Sequence, residues 1–365
     1  MNDSPSVAPL DRPFARRQFL GRGLKGVAAL GLSGGLGSAL AACGSSSGSS
    51  STTAATGGLT SVSLQLCYLE NVQFAGSYFA QTRGYYKAAG LDVTLIPGGP
   101  SLAPEPVVVS GKALVGVSHT AEVVSAILNG ADLKIIGATY QKNPTCIVSR
   151  LSKPIKVPTD MYGKKIGISD TNAPIWSSFV KANGLDVSKI TVVTVGFDVT
   201  SLASGEIDGL MAFAANEPTI LKLQGVAPYV MLLADFKYPL IEDLYIATSA
   251  NVADPAKMKT IAALMTGESR GWADVVADPD EAATLAVDDF GKGIGLSLPQ
   301  QKLEATAQNA FVVDADTMTH GLFWMTPAKI AGTISSLALG GVKATTSMFT
   351  TAILDEVYKG GSVAA

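Results

Sequence analysis

Between Val62 and Leu95 the apolar and polar positions spell a strand, a helix and a second strand. Val62, Leu64, Leu66 and Tyr68 alternate with Ser63, Gln65 and Cys67, the period-two signature of a strand with one better-buried face. A polar turn, Glu70-Asn71-Val72-Gln73, follows. Phe74, Tyr78, Phe79, Tyr85 and Tyr86 then recur at spacings near three to four, which predicts a helix with an aromatic face that ends at Gly90. Leu91 to Leu95 reads as the second strand, closed by Pro97-Gly98-Gly99-Pro100. Such a unit implies a parallel sheet whose ligands sit beyond the carboxyl ends of its strands, where the turns at Asn71 and Gly98 fall.

The alternation continues with a helix around Pro106 to Ser110, a strand Leu114 to Ser118, a helix Ala121 to Leu128 and a strand Leu133 to Thr139. Between Gln141 and Pro144 the rhythm changes, and after the strand Cys146 to Val148 prolines interrupt the chain up to Pro158. A new series starts at Lys165 and echoes the first. Ile166 to Ser169 runs into the polar turn Asp170-Thr171-Asn172, then a helix carrying Ile175, Trp176, Phe179 and Val180, then a strand Ile190 to Val195. Ser110-Gly111-Lys112-Ala113-Leu114-Val115-Gly116 and Ser204-Gly205-Glu206-Ile207-Asp208-Gly209-Leu210 are both helix ends passing through glycine into a strand. Two copies of one α/β plan predict two lobes with a cleft between them. Leu244 to Ser249 reads as a return strand. Proline-started helices follow at Pro255 to Ala277, Pro279 to Asp289, Pro299 to Asn309 and Pro327 to Leu337, expected to pack outside the first lobe.

The amino terminus has a different composition. Arg16-Arg17-Gln18-Phe19-Leu20 resembles a twin-arginine export signal, with Ala15 and Gly21 departing from its flanking positions. The apolar, glycine-rich run from Val27 to Ala42 is short for a membrane span and suits a signal-peptide core. Leu40-Ala41-Ala42-Cys43 resembles a lipobox, which implies lipidation of Cys43 and cleavage before it. The Ser, Thr, Gly and Ala residues up to Gly58 cannot bury enough apolar area to offset chain entropy and read as a tether. The expected organisation is a leader over 1–42, a tether over 43–58, a first lobe from 59–143 and 247–365, and a second lobe over 144–246.

At 365 residues, 47% of them hydrophobic, the chain can build two cores. Its formal charge is −3, and the first 42 residues hold five basic residues against two acidic ones, so the body is more acidic than the whole. An acidic body without a basic tract excludes nucleic acid as the expected partner. Cys67 and Cys146 each sit in an apolar run and read as buried thiols, although an exported chain permits a disulfide.

Asn71-x-Gln73-Phe74-Ala75-Gly76-x-Tyr78, Gly84-Tyr85-Tyr86, Gly90-Leu91-Asp92-Val93 and Gly98-Gly99-Pro100 resemble the first lobe of the substrate-binding proteins of ABC importers for thiamine-precursor pyrimidines and riboflavin, a family related to the sulfonate and nitrate receptors. The resemblance implies an α/β, two-lobed periplasmic-binding-protein-like fold of type II, each lobe a mixed sheet flanked by helices around a central ligand cleft. It also implies a small-molecule ligand, ABC permease subunits as partners, and a lipid-anchored monomer at the outer face of the cytoplasmic membrane. Of the two vitamin classes, Gln73-Phe74-Ala75-Gly76 with Gly98-Gly99-Pro100 looks closer to the riboflavin members. A pyrimidine-synthase enzyme shares the architecture but carries a Cys-rich iron motif that this chain lacks.

No catalytic signature appears: the chain has two histidines, His119 and His320, and no nucleophile elbow, phosphate loop or Cys-His pair. Binding therefore has to rest on loop positions, with no cofactor and no metal expected. Asn71, Gln73, Asp170, Asn172 and Asn216 offer amides and a carboxylate at predicted strand ends, and Gly98 and Gly99 let backbone approach a ligand. Glu217 follows the strand Leu210 to Ala214 and can accept hydrogen bonds from ring N–H groups, though a helix-start acid explains it equally. His119 follows a strand and is as well suited to a cap as to the cleft. Phe74, Tyr140, Trp176 and Phe213 adjoin strand ends, where a cleft-facing pair would stack on a planar ring. The scarcity of Lys and Arg at these loops favours a neutral or weakly cationic N-heterocycle over a sulfonate, nitrate or phosphate.

Overall fold

The computed structural model describes residues 58–99, 102–196 and 198–359. The expected leader, the tether before residue 58, Cys43 and Pro100 lie outside the described residues. Among the described residues ten strands form two sheets. The first holds β1 (Thr60–Gln65), β2 (Leu91–Ile96), β3 (Val115–Ser118), β4 (Leu133–Tyr140) and β10 (Glu242–Thr248) in the order β2-β1-β3-β10-β4. The second holds β5 (Thr145–Arg150), β6 (Lys165–Ile168), β7 (Thr191–Thr194), β8 (Gly209–Phe213) and β9 (Pro228–Leu232) in the order β7-β6-β8-β5-β9.

The two orders are the same plan. In each sheet four strands run parallel, and the fourth position is filled by the one antiparallel strand, β10 in the first and β5 in the second. Both antiparallel strands begin just after a crossing between the sheets, so their amino ends lie beside the carboxyl ends of their parallel neighbours. Tyr140 pairs with Glu242 across the β4–β10 ladder, and Cys146 pairs with Leu232 across β5–β9. The two crossings, residues 141–144 and 233–241, therefore leave and return side by side.

Several expectations need correction. β1 stops at Gln65, and burial increases along it rather than alternating, so that Leu64 to Cys67 are all buried. The aromatic helix is divided into Val72–Phe74, Ala75–Thr82 and Tyr85–Ala88. The helix from Pro279 ends at Leu285, and a wider turn of helix, Ala286–Phe290, takes over. The return strand begins at Glu242 and lies wholly in the first sheet, so the crossing back precedes the expected boundary at 246. The Pro327–Leu339 helix does not stay with the first sheet. It packs against Ala173–Asn183 of the second, with Ile330, Ile334 and Leu337 in one apolar cluster with Trp176, Phe179 and Val180.

Cores lie on both sheets. Leu64, Val115, Ile136 and Tyr245 of the first sheet meet Phe79, Trp272 and the Pro255–Ala277 helix, which crosses Ala75–Thr82 closely because a Cβ at Gly271 would fall 1.9 Å from the Gly76 carbonyl oxygen. Val148, Leu202, Leu210 and Ala212 form a core in the second. Cys67 and Cys146 are buried free thiols. No helix among the described residues is long and apolar enough to cross a membrane.

Candidate functional site

The carboxyl ends of the parallel strands carry most of the candidate residues, and the antiparallel strands add acids that sequence reasoning missed. In the first sheet Asn71 caps the Val72–Phe74 turn, its Oδ1 accepting the Gln73 amide at 3.0 Å. That leaves the Gln73 side chain directed elsewhere. Its Nε2 donates to Asp243 Oδ2 at 2.7 Å, joining the turn after β1 to the start of β10. His119 is the residue before the Thr120–Leu128 helix, and its Nδ1 lies 3.2 Å from Glu242 Oε1 and 3.4 Å from Asp243 Oδ1. Glu242 is fixed from two further sides, by the Thr120 N–H at 3.0 Å and by Asn143 Nδ2 at 3.2 Å. Burial opposes charge on the His119 imidazole, but Cys67, Asp243 and Glu242 beside it raise its pKa well above the ordinary histidine range. Burial pushes the Cys67 thiol up to about 11.

Gly98 and Gly99 are buried beside this group, but Gly98 serves the protein's own backbone. A Cβ there would lie 2.5 Å from the Leu66 carbonyl oxygen and the Tyr68 nitrogen, and its N–H donates to the Tyr68 carbonyl at 3.0 Å. Gln65, also buried, ties the same two segments by donating to the Ile96 and Pro97 carbonyls. Phe74 is buried in the first core.

The second sheet meets the first through aromatic rings. Tyr140 ends β4 and Phe213 ends β8, and their ring centroids are 6.0 Å apart. Tyr140 donates to Gln308 Oε1 at 3.0 Å, which holds it against the Leu298–Val312 helix. Glu217 begins the Glu217–Leu223 helix and is buried, with Oε2 accepting the Phe213 N–H at 2.7 Å. Burial raises its pKa to about 6 against that bond. Asn216 Oδ1 accepts Gln300 Nε2 at 3.0 Å, and the same Gln300 nitrogen donates to buried Glu304 Oε2 at 2.7 Å. Burial, opposed by Gln300 and reinforced by the Glu217 charge, brings Glu304 to about 7. One amide thus links the turn after β8 to a helix packed on the first sheet.

Three predicted residues are placed apart from these contacts. Asp170 is exposed and Asn172 half-buried at the start of Ala173–Asn183, while Trp176 packs in the apolar cluster with Ile168 and Phe179. The missed residues, Glu242 and Asp243, did carry a signal. Two acids open an apolar strand directly after a crossing, where burial of charge demands a purpose or a partner.

A cavity of about 390 Å³ lies elsewhere, lined by Gln141 and Lys142 of one crossing, Pro239 to Ile241 of the other, and Lys329. It contains none of the candidate strand-end residues. Lys329 there is already paired with Asp314 at 2.6 Å and Asp316 at 3.0 Å. The strand ends, with unpaired acceptor capacity and the tilted Tyr140–Phe213 ring pair, have the better chemistry for a polar planar solute.

Known proteins resemble this chain in sequence and in fold. The model of the family described as NMT1/THI5 like matches residues 71–282. Riboflavin-binding protein RibY of Chloroflexus aurantiacus is 28% identical over 257 residues, covering 67% of this chain and 72% of that protein. Formylaminopyrimidine-binding protein of Halalkalibacterium halodurans is 27% identical over 235 residues, covering 62% and 70%. Among solved structures, the putative sulfonate ABC transporter periplasmic protein SsuA from Methylobacillus flagellatus KT gives a TM-score of 0.59 at 15% identity, covering 82% of this chain and 94% of that one. The periplasmic nitrate-binding protein NrtA from Synechocystis PCC 6803 gives 0.54 at 14%, covering 82% and 86%. The fold is the two-lobed α/β arrangement of the periplasmic binding proteins, with a mixed sheet in each lobe.

Proposed function

Because the chain belongs to the NMT1/THI5-like family, we propose that it is the solute-binding component of an ABC importer and captures a small planar N-heterocycle, riboflavin or a thiamine-precursor pyrimidine. The observation that carries this reading is the meeting of Tyr140 and Phe213 at the facing ends of the two sheets, flanked by Gln73, His119 and Asp243 on one side and Asn216 and Glu217 on the other. A planar ring needs a face to stack on and a few fixed polar groups at its edge. Glu217, Glu242 and Asp243 suit N–H donors and oppose an anion, while the names of the two curated relatives point to the same class of solute.

In this mechanism the solute bridges the lobes and favours their closed arrangement by its differential affinity. The closed form docks on permease subunits, and a separate ATPase supplies the energy. Its role is capture rather than conversion. Cys43 carries the lipid that keeps the receptor at the outer face of the membrane, with residues 43–58 as tether, 144–241 as the inserted lobe and the remainder as the first. Replacing Cys43 by Ala is expected to release the exported protein from the membrane fraction into the medium, and full retention of Cys43→Ala would remove the anchor.

Thermal melts against riboflavin, pyrimidine precursors, alkanesulfonates and nitrate test the solute class. A solute at a hundred times its Kd adds about 2.7 kcal/mol of stability. Stabilisation by a heterocycle is expected, with Phe213→Ala weakening binding roughly tenfold through lost stacking. Stabilisation by sulfonates alone would replace the heterocycle by an anion.

A further inference from the structure

At the carboxyl end of the first sheet three potential metal donors converge from three separate strands. Cys67 follows β1, His119 follows β3 and Asp243 lies in the first turn of β10, and one donor atom from each lies within 4.8 Å of the others. The carboxylate of Asp243 is buried, and while Oδ2 accepts Gln73 Nε2, Oδ1 has no hydrogen-bond partner and faces His119 Nδ1 at 3.4 Å. That oxygen has only the His119 imidazole to balance it, a role that a bound cation can take over. Asp243 also holds a left-handed backbone, φ 52°, which a non-glycine residue adopts at some expense.

We propose that Cys67, His119 and Asp243 bind a divalent transition-metal ion of the zinc type. A thiolate, an imidazole and a carboxylate form the mixed soft and borderline donor set that zinc and cobalt take, whereas calcium and magnesium require oxygen throughout. Zinc bonds of roughly 2.0–2.3 Å place tetrahedral donors about 3.5 Å apart, so the cluster draws in by about one ångström on loading. The outer groups are present. Gln73 orients Asp243, the kind of support that fixes ligand orientation in metal sites, and Glu242, held by Thr120 and Asn143, adds a further carboxylate at His119 Nδ1. The His119 side chain is 38% exposed and provides the route of entry. Three protein donors leave a fourth position for water or for an electron-pair donor of a bound solute. The site is independent of which organic solute the cleft accepts.

The test uses the chelator-stripped, reduced protein and Co²⁺, with no organic solute present. One equivalent is expected to bind with a thiolate-to-cobalt charge-transfer band in the near ultraviolet, displaced by Zn²⁺, and Zn²⁺ is expected to raise the melting temperature. Cys67→Ser should abolish the band although Cys43 and Cys146 remain. Asp243→Asn, which tolerates the left-handed backbone and keeps an acceptor for Gln73, should weaken Co²⁺ binding at least tenfold. Absence of the band, or a band that survives Cys67→Ser, overturns the site. Should Cys67→Ser fail to fold by circular dichroism, unchanged affinity in Asp243→Asn overturns it equally. A failure to bind riboflavin or pyrimidines leaves these readings untouched, so the two proposals fall separately.

Discussion

Replacing Glu268 by Ala is expected to lower the unfolding free energy by about 3–5 kcal/mol, the cost of leaving three buried hydroxyl donors without their acceptor. Glu268 is fully buried in the Pro255–Ala277 helix and accepts from Ser77 Oγ at 2.8 Å, from Tyr245 Oη at 2.6 Å and from the Tyr86 hydroxyl. Those three donors belong to the Ala75–Thr82 helix, to β10 and to the Tyr85–Ala88 turn, so one carboxylate fastens three elements to the longest helix. Alanine leaves all three hydroxyls without their acceptor in a site closed to water. Gln keeps one oxygen and should fall between Ala and the natural residue. Urea unfolding of the three proteins measures the series, and a loss below about 1 kcal/mol in Glu268→Ala would mean that water reaches the hub.

Stability is expected to fall as pH rises from about 4.5 to about 7, the reverse of ordinary acid denaturation. Burial lifts Glu217 to about 6 and Glu304 to about 7 in the native state, above the 4.5 at which glutamates ionise in the unfolded chain. Their contribution is fully present below 4.5 and is lost as pH passes through 6 and 7, because the native state holds protons that the unfolded state has released. At about 1.4 kcal/mol per unit the pair accounts for on the order of 5 kcal/mol. The raised pKa of His119 adds a decline of the same sign above 6.5. Glu304→Gln retains an acceptor for Gln300 and Gln301, so it should flatten the profile and raise the melting temperature at pH 8 by several degrees. Melts of both proteins from pH 4.5 to 8 decide the matter. Parallel profiles would show that Glu304 titrates in the folded protein as it does in the unfolded chain.

The strands were legible because alternation and glycine-marked helix ends are local. Val62 to Leu66, Leu91 to Leu95 and the Pro255 to Ala277 helix could be read within a few residues of their bounds. Pairing across long separations could not. Nothing near Gln73 announces Asp243, 170 positions away, and nothing near Asn216 announces Gln300. The packing of Pro327–Leu339 on the second lobe escaped for the same reason: Ile330, Ile334 and Leu337 specify an apolar face but not its partner. Of the candidate site, the turns and rings were found from their positions after strands. The acids of β10 were missed because they open their strand rather than follow it, and in an antiparallel strand that is the end which joins its neighbours' carboxyl termini.

Tyr140 and Glu242 face each other on a single rung, and Thr145 and Leu232 flank the corresponding place on the other side. Both of the crossings that join one sheet to the other pass this one doorway, while the Pro327–Leu339 helix reaches across separately. In a swing of one half against the other about that line, like a book about its spine, a side chain seated there is displaced far less than one at the outer margin of the page.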